Sequence, residues 1–387
     1  PVAALALVTT WIGFEIGLID SAVKLIPNYS ESAYSVFLSS IGYSYYPLLA
    51  IFFVLLISVT GRDFGPMLKA EQRARKQGLV SAVGAKTGES VEEASVLKPR
   101  PDSPLRAINA VLPVMVLVFG TLIGIYITGR ASAGPGAGLR DIIGAGDSYK
   151  SLVWASLLGV LVAAMLSLVQ RLLRTQEIVD AWFAGMKSMM LAIVILVLAW
   201  SLSQVDTVLQ TGPYLVSELG EKLSPAWLPA IVFVLSAMTA FATGTSWGVM
   251  GIMMPLVIPV AWAIMEINGM TTEFPSDYHI LYSSVSAVLA GSVWGDHCSP
   301  ISDTTIMSSM ASGCDHIDHV RTQLPYAMAV GAVGLVFGTI PAAYGLPWWL
   351  GLIAGMVVLT LGLRYFGTKH EPFDPSLVMV PASTEAK

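Results

Sequence analysis

Two short polar stretches interrupt long apolar runs of this chain, and both are rich in oxygen-bearing side chains. The first is ATGTSWG, from Ala242 to Gly248, and the second is GDHCSPISDTT, from Gly295 to Thr305. Carboxylates, hydroxyls and backbone carbonyls are the ligands that small hard cations favour. Polar residues inside an apolar run are costly in a membrane and typically mark an ion or substrate site. The sequence therefore predicts a cation site built from both stretches.

The candidate ligands are carboxylates and hydroxyls, with one glycine that brings the backbone close. In the second stretch they are Asp296, Asp303, Ser299, Ser302, Thr304 and Thr305, and in the first they are Thr243, Gly244, Thr245 and Ser246. The Ser and Thr side chains could instead form ordinary hydrogen bonds between helices. The two carboxylates could instead cap a helix N-terminus, Asp303 more readily than Asp296. Two separate interruptions, each combining glycine with hydroxyls, favour the ligand hypothesis.

Asp296 is the residue on which an exchange chemistry would depend. It follows the uncharged run from Ile280 to Gly295, and apolar surroundings favour the neutral, protonated form of a carboxyl. Such a group can exchange a proton for a sodium ion at physiological pH. One site with two competing ligands and alternating exposure would make an antiporter. His297 could tune this titration.

Several other titratable residues are candidates for pH sensing or gating. They are His297, Asp315, His316, Asp318, His319 and Glu15. The segment DHIDHVR is expected at the cytoplasmic mouth, with ion pairs among its own acids, histidines and Arg321. Glu15 is the other acid inside an apolar run, and its alternative role is a snorkelling or loop-facing acid near a helix end.

A transition-metal site is the competing chemistry. Cys298, Cys314, His316 and His319 are zinc ligand types, but their spacing matches no known zinc finger, so no zinc is expected. The metal that the sequence predicts is Na+ at Asp296 and Asp303. A remote alternative is a membrane-embedded hydrolase with a metal held by His297, His316, His319 and an Asp. Two cysteines make no disulfide framework.

Composition indicates which elements must position these residues. The 387 residues are 55% hydrophobic and 12% charged, whereas a soluble domain carries about 25% charged residues. Uncharged runs of about 20 residues each suit a membrane-spanning helix. Single-length runs are Ala107–Gly129, Ser151–Gln170 and Ser188–Val205, and double-length runs are Leu223–Met265 and Thr322–Leu363. The fold class predicted is an all-α, polytopic membrane protein.

The two polar stretches divide the apolar runs into a hairpin and a broken helix. The hairpin covers about 223–265 with ATGTSWG at its tip, either as a re-entrant pair or as two crossings. The broken helix covers about 280–312 and resumes at roughly Thr304 to Ser312. A crossing from Pro1 to Asp20 interrupted by Glu15, one from Ser32 to Gly61, and a short surface helix over 175–187 complete the prediction.

The chain divides into four parts by composition. Residues 1–61 are a remnant of a first transmembrane repeat, 62–106 a basic cytoplasmic linker, 107–366 a second repeat, and 367–387 a cytoplasmic tail. Most of the 21 Lys and Arg residues fall on the side assigned to the cytoplasm, which supports this orientation. The expected partner is the lipid bilayer, with no nucleic acid, and a homodimer is left open.

Three strings resemble the NhaC family of sodium/proton antiporters. They are GDHCSPISDTTIMSSMASGCDHIDHVRTQLPYA, ATGTSWGVMGIMMPLVIP and, more loosely, TGRDFGPMLKAE. The resemblance implies an inverted-repeat secondary transporter in which each repeat has a re-entrant hairpin and a broken helix. It assigns ATGTSWG to the second hairpin tip and places Asp296, Ser299 and Asp303 at the ion site. It also implies that the first repeat is only partly present and begins before Pro1.

The function expected is Na+/H+ exchange across the plasma membrane by alternating access, with no enzymatic activity. The transported ligands are Na+ and H+, and no cofactor is implied. The family also includes exchangers of organic acids or amino acids, so a Na+- or H+-coupled exchanger of small organic ions is the alternative.

Overall fold

Helices form nearly all of the regular structure in this computed structural model. The structure describes residues 2, 4–5, 10–26, 29, 31–79, 104, 106–134, 136, 138, 142, 146–210, 214, 223–271, 278–312 and 314–369. The helices before the first polar stretch are α1 (Thr10–Val23), α2 (Ala33–Ile41), α3 (Tyr45–Thr60), α4 (Gly65–Gln77), α5 (Ile108–Ser132), α6 (Ser148–Val169), α7 (Thr175–Val208) and α8 (Leu228–Thr243). Those after it are α9 (Ser246–Ile267), α10 (His279–Cys298), α11 (Asp303–Ala311), α12 (His316–Val333), α13 (Ile340–Ala343) and α14 (Trp348–Phe366).

Six helical segments within the described residues are long and apolar enough to cross a membrane, or seven if the bent pair α2–α3 counts as one span. The six are Ile108–Ser132, Lys150–Val169, Pro225–Thr243, Ser246–Ile267, His316–Ala343 and Trp348–Phe366. The third includes a short 3₁₀ turn before α8, and the fifth joins α12 to α13 through a π-helical turn over Gly334–Thr339. The prediction of an all-α, multi-pass membrane protein is confirmed.

Three local predictions differ from the structure in detail. Helix α1 runs without a break through Glu15, because glutamate has a good helix propensity. The predicted surface helix over 175–187 leads into the predicted crossing after it without a break, and together they form one helix of 34 residues, α7. The Ser32–Gly61 crossing is two helices that meet at an angle of 42°, and Gly42 at the end of α2 marks the bend.

Helix α10 lies at the centre of the described fold. It is buried along nearly its full length and packs most extensively against α8, and also against α9. Gly291 and Gly295 face α8 with the four-residue spacing that lets two membrane helices approach closely. A Cβ atom at Gly291 would lie 2.5 Å from the Phe233 carbonyl oxygen, and one at Gly295 would overlap the Ala237 carbonyl. The close contact of α8 and α10 therefore requires both glycines.

The basic segment after α3 packs against α12. Strand β1 (Arg62–Asp63) pairs antiparallel with β2 (Thr368–Lys369), which joins the predicted linker to the predicted tail. Residues 69–77, KAEQRARKQ, form part of helix α4. The Phe64 ring stacks on Tyr326 at 4.4 Å between ring centroids. The Tyr326 hydroxyl donates a hydrogen bond to Asp63 at 2.6 Å, so this junction combines apolar and polar contacts.

Candidate functional site

The second polar stretch breaks a helix, as the sequence predicts. Helix α10 continues through Asp296 and ends at Cys298, three residues later than the uncharged run suggests. Four residues follow before α11 begins at Asp303, and among them Pro300 has no N–H to continue the helical ladder. The Ser299 amide donates to the Asp296 carbonyl, and the Ser302 carbonyl accepts from Ile306 in α11. Asp296 therefore lies in the last helical turn before the break.

Asp296 is held across the break by hydroxyl groups. Only 4% of its surface is exposed. Its Oδ2 accepts a hydrogen bond of 2.9 Å from the Thr304 hydroxyl, and the Ser302 hydroxyl lies 2.8 Å from that same Thr304 oxygen. The Thr305 hydroxyl donates to the Asp296 carbonyl at 3.5 Å. Thr304 thus holds the carboxyl directly, whereas Ser302 contacts Thr304 and Thr305 holds the backbone of Asp296.

A cavity of about 270 Å³ opens beside Asp296. The polar residues that line it are Asp296, His297, Thr304, Thr305, Ser308, His319 and Gln323, and the apolar ones are Ala4, Trp11 and Val293. A water molecule occupies about 30 Å³ of liquid, so the cavity can hold a small cation together with several waters. Residues of α1, α10, α11 and α12 line this cavity, and the Asp296 carboxyl is among them.

His297 is fixed by two residues that the sequence analysis missed. Its Nδ1 lies 2.6 Å from the hydroxyl of Tyr46 in α3. Its backbone carbonyl accepts a hydrogen bond of 2.7 Å from the Gln323 side chain in α12. Tyr46 is one of many tyrosines in apolar runs, and nothing in its neighbours distinguishes it. An amide such as Gln323 inside an apolar helix is a signal that could have been used.

The hairpin tip meets the break through its backbone. Gly244 ends α8 with φ of +68°, and a Cβ atom there would lie 2.7 Å from Cγ1 and 2.8 Å from the carbonyl oxygen of Ile301. The Thr245 hydroxyl caps α9 by accepting from Gly248, and the Ser246 side chain is buried. The Thr243 hydroxyl is exposed and donates to Thr239 in its own helix, so the structure does not bring that side chain to Asp296.

The remaining predicted ligands, Asp303, Ser302 and Ser299, each lie at a different position around the break. Asp303 is the first residue of α11, and its side chain lies outside the described residues. Ser302, and not Asp303, occupies the position before the helix. The Ser299 hydroxyl is buried and accepts from the Ile301 amide at 3.4 Å, which stabilises the turn itself. Each hairpin helix is long enough to cross the membrane. Their lengths therefore do not distinguish two full spans from a re-entrant pair.

The DHIDHVR segment makes contacts with other parts of the chain. His316 Nε2 donates to the Pro300 carbonyl at 2.6 Å, and its Nδ1 lies 3.1 Å from the Ser309 hydroxyl. Asp315 caps α12 by accepting from the Asp318 amide. Asp318 forms an ion pair of 3.3 Å with Arg73 in α4, where the sequence predicted a partner within its own segment. His316 is the first residue of α12, and its two ring nitrogens therefore connect the start of α12 to the break and to the end of α11.

The structure does not support a metal centre built from the cysteines and histidines. Among the described residues, no three His, Cys, Asp or Glu side chains lie together in a way that could hold a metal. Burial, with the carboxylates of Asp318 and Asp315, raises the pKa of Cys314 above its ordinary value, which keeps the thiol protonated. Within the described part of the chain, His297 and His316 are engaged by different elements, which disfavours a metal held by both of them.

Glu15 lies in α1, and its side chain is fully buried. Neither of its carboxyl oxygens has a hydrogen-bond partner among the described residues. It does not line the cavity beside Asp296, but Trp11, one turn earlier on the same helix, does. The alternative of a snorkelling or loop-facing acid was wrong for the conformation described.

Comparison with known proteins agrees with this architecture. A protein of Haemophilus influenzae described as uncharacterized is 33% identical over 336 residues, which are 85% of this chain and 59% of that protein. An uncharacterized Na+/H+ antiporter of the same organism is 33% identical over 120 residues, which are 30% of this chain and 23% of that protein. The arginine/ornithine antiporter ArcD of Halobacterium salinarum is 30% identical over 125 residues, which are 32% of this chain and 23% of that protein.

These relatives are longer than the segment they share with this chain, which spans at most about three fifths of their length. No solved structure matches the chain. The model of the Na+/H+ antiporter family matches residues 2–340, which include the hairpin, the broken helix and the cavity beside Asp296. The chain therefore belongs to the Na+/H+ antiporter family.

Proposed function

We propose that the protein is a secondary antiporter that exchanges Na+ for H+ across the plasma membrane, with Asp296 as the residue that binds both ions in turn. The observation that carries the proposal is a buried carboxyl at a helix break, tied to Thr304 and open to a cavity of about 270 Å³. A carboxylate in such surroundings requires a compensating charge or a proton. Sodium and hydrogen ions would then compete for one negative charge.

The oxygen atoms around Asp296 suit a sodium ion. The hydroxyls of Ser302, Thr304 and Thr305 are within hydrogen-bonding distance of one another or of Asp296. A cation that enters displaces the proton of Asp296 and takes hydroxyl and carbonyl oxygens as ligands. When the cation leaves, protonation restores the neutral site. Alternating access follows if hairpin and break move relative to each other.

The test is sodium-driven proton movement in proteoliposomes that carry the protein at its full natural length. A sodium jump should change the internal pH in the wild type and should leave it unchanged in Asp296→Asn. Asp180→Asn is the matched control, because Asp180 lies exposed on α7 and contacts only the amide of Gln176 in the described structure. Full exchange by Asp296→Asn, with both variants correctly inserted, would assign the ion site to another acid.

A small organic ion is the second candidate cargo. The cavity is larger than a bare sodium ion needs, and Trp11 and Val293 give it an apolar side. The similarity to an arginine/ornithine antiporter points in the same direction. Counterflow of labelled amino acids and carboxylic acids, measured in the same proteoliposomes, separates the two. Counterflow of an organic ion without sodium-driven proton movement would replace Na+/H+ exchange as the function.

A further inference from the structure

Glu15 is a fully buried acid that the exchange at Asp296 does not use. Its side chain has 0% exposure, and no described donor reaches either carboxyl oxygen. Burying an unpaired carboxylate costs far more than burying its neutral form. Glu15 is therefore protonated in this conformation. A protonated acid of this kind inside a membrane protein is a functional feature by default.

The position of Glu15 connects it to the cavity beside Asp296. Trp11 precedes Glu15 by four residues, so both lie on one face of α1. Side chains of a helix lean toward its N-terminus, which directs the Glu15 carboxyl toward the turn of Trp11. Trp11 lines the cavity. The centroid of its ring also lies 5.6 Å from that of Trp247, which belongs to the ATGTSWG stretch at the hairpin tip. Glu15 therefore lies about one helical turn, or ~5 Å along the helix axis, from the residue that lines that cavity.

A second cavity begins on the other side of Glu15. It has a volume of about 470 Å³ and is lined by the next residue of α1, Ile16, and by Asp20, Glu31 and Asp147. Helix α1 thus touches one cavity at Trp11 and another from Ile16 onward, with Glu15 between them. A proton held at Glu15 therefore lies, along the axis of α1, between residues that line the two cavities.

The helices that pack against α1 carry few titratable residues. Helix α1 packs against α9, α2 and α6. The titratable residues of those helices are Glu266 on α9, Tyr34 on α2, and Tyr149 and Lys150 on α6, and α1 itself adds Asp20. Glu266 is at the far end of α9 from Trp247, about 28 Å along the helix. Asp20 is already paired with Lys24 at 2.6 Å.

We propose that Glu15 is a second proton-carrying residue of the exchanger, which takes up a proton from one cavity and releases it to the other in each transport cycle. This rests on the proposed Na+/H+ exchange. On release, the carboxylic acid gives one proton to water and leaves a carboxylate. That carboxylate must face water until a proton from the opposite side restores it. Each cycle then carries one proton more than Asp296 alone would carry.

The first experiment detects the proton without transport. The infrared spectrum of the purified full-length protein at neutral pH should contain a protonated-carboxyl band that decreases in Glu15→Gln. Glu266→Gln is the control, because Glu266 is exposed on the helix against which α1 packs, and it should leave the band unchanged. Identical bands in the wild type and Glu15→Gln would overturn the proposal. This result is independent of whether the wild type exchanges ions.

The second experiment measures how many protons move per cation. Reversal potentials in proteoliposomes should give a ratio that falls by one proton in Glu15→Gln and is restored in Glu15→Asp, which keeps the titratable group. Glu266→Gln should keep the wild-type ratio. An unchanged ratio in folded Glu15→Gln would overturn the relay. Absence of exchange in the wild type would defeat the proposed function, and the infrared band would still decide whether Glu15 binds a proton.

Discussion

The hydroxyl of Tyr46 and Nδ1 of His297 lie 2.6 Å apart, although 251 residues separate them in the chain. This hydrogen bond joins α3 to the last turn of α10, directly beside Asp296. The Tyr46 ring also packs on Trp294, one turn earlier on α10. The side chain next to the candidate ion site is therefore oriented by a helix from a distant part of the sequence.

Tyr46→Phe removes that hydroxyl and leaves the buried ring in place. We expect a loss of unfolding free energy of about 1–3 kcal/mol, because a buried imidazole loses its partner. The measurement is the thermal unfolding midpoint of the detergent-solubilised protein. Tyr365→Phe is the control, since Tyr365 is exposed at the end of α14, and its midpoint should not change. Equal midpoints for both variants would mean that the hydrogen bond does not contribute.

Thr304→Val tests the hydroxyl that donates to Asp296 across the break. The substitution keeps the shape of the side chain and removes the donor, so the Asp296 carboxyl loses its orientation. A hydrogen bond to a charged group contributes about 1.5–3 kcal/mol, so we expect the apparent sodium affinity to fall by roughly tenfold or more. The measurement is the sodium concentration that gives half-maximal exchange.

Thr360→Val is the control for that prediction. Thr360 lies exposed on α14 and donates to the Met356 carbonyl, so it makes a hydrogen bond within its own helix only. We expect the half-maximal sodium concentration of this variant to equal that of the wild type. If Thr304→Val matched it, the hydroxyl would have no role in ion binding.

Gly244→Ala tests the contact between the hairpin tip and the break. Alanine at a φ of +68° is strained by about 1–2 kcal/mol, and its Cβ would also meet the Ile301 carbonyl at 2.8 Å. Gly345→Ala is matched, because Gly345 also has a positive φ, of +93°, but nothing lies within 4 Å of an added Cβ. We expect Gly244→Ala to lower the unfolding midpoint more than Gly345→Ala. Equal shifts would show that the tip can move away from Ile301 without cost.

Gly295→Ala tests the close packing of α8 against α10. A methyl group at this position would overlap the Ala237 carbonyl, so the helices must separate. We expect a sharp fall in the yield of monodisperse protein in size-exclusion chromatography. Gly362→Ala on α14 meets nothing within 4 Å and gains helix propensity of about 1 kcal/mol, so its yield should be maintained. A normal yield for Gly295→Ala would indicate looser packing than the structure describes.

The fold class and the break could be predicted because they follow from local composition. Apolar runs of membrane-spanning length define helices, and Pro300 among polar residues stops one of them. The lengths of α1 and α7 were predicted less well. Polarity alone does not end a helix, so Glu15 and the residues near 187 stay inside α1 and α7.

The sequence by itself determined that this is a multi-pass helical protein with Asp296 at a broken helix, because hydrophobic length and helix-breaking residues act over a few neighbouring positions. Only the tertiary structure decided which residues surround that carboxyl. Tyr46, Trp11 and Gln323 reach the site from three other helices, and Thr243 turns away from it. The physical reason is that side-chain partners in a helical bundle depend on how the helices rotate and cross, and the close approach of backbones at glycines such as Gly295 sets that geometry.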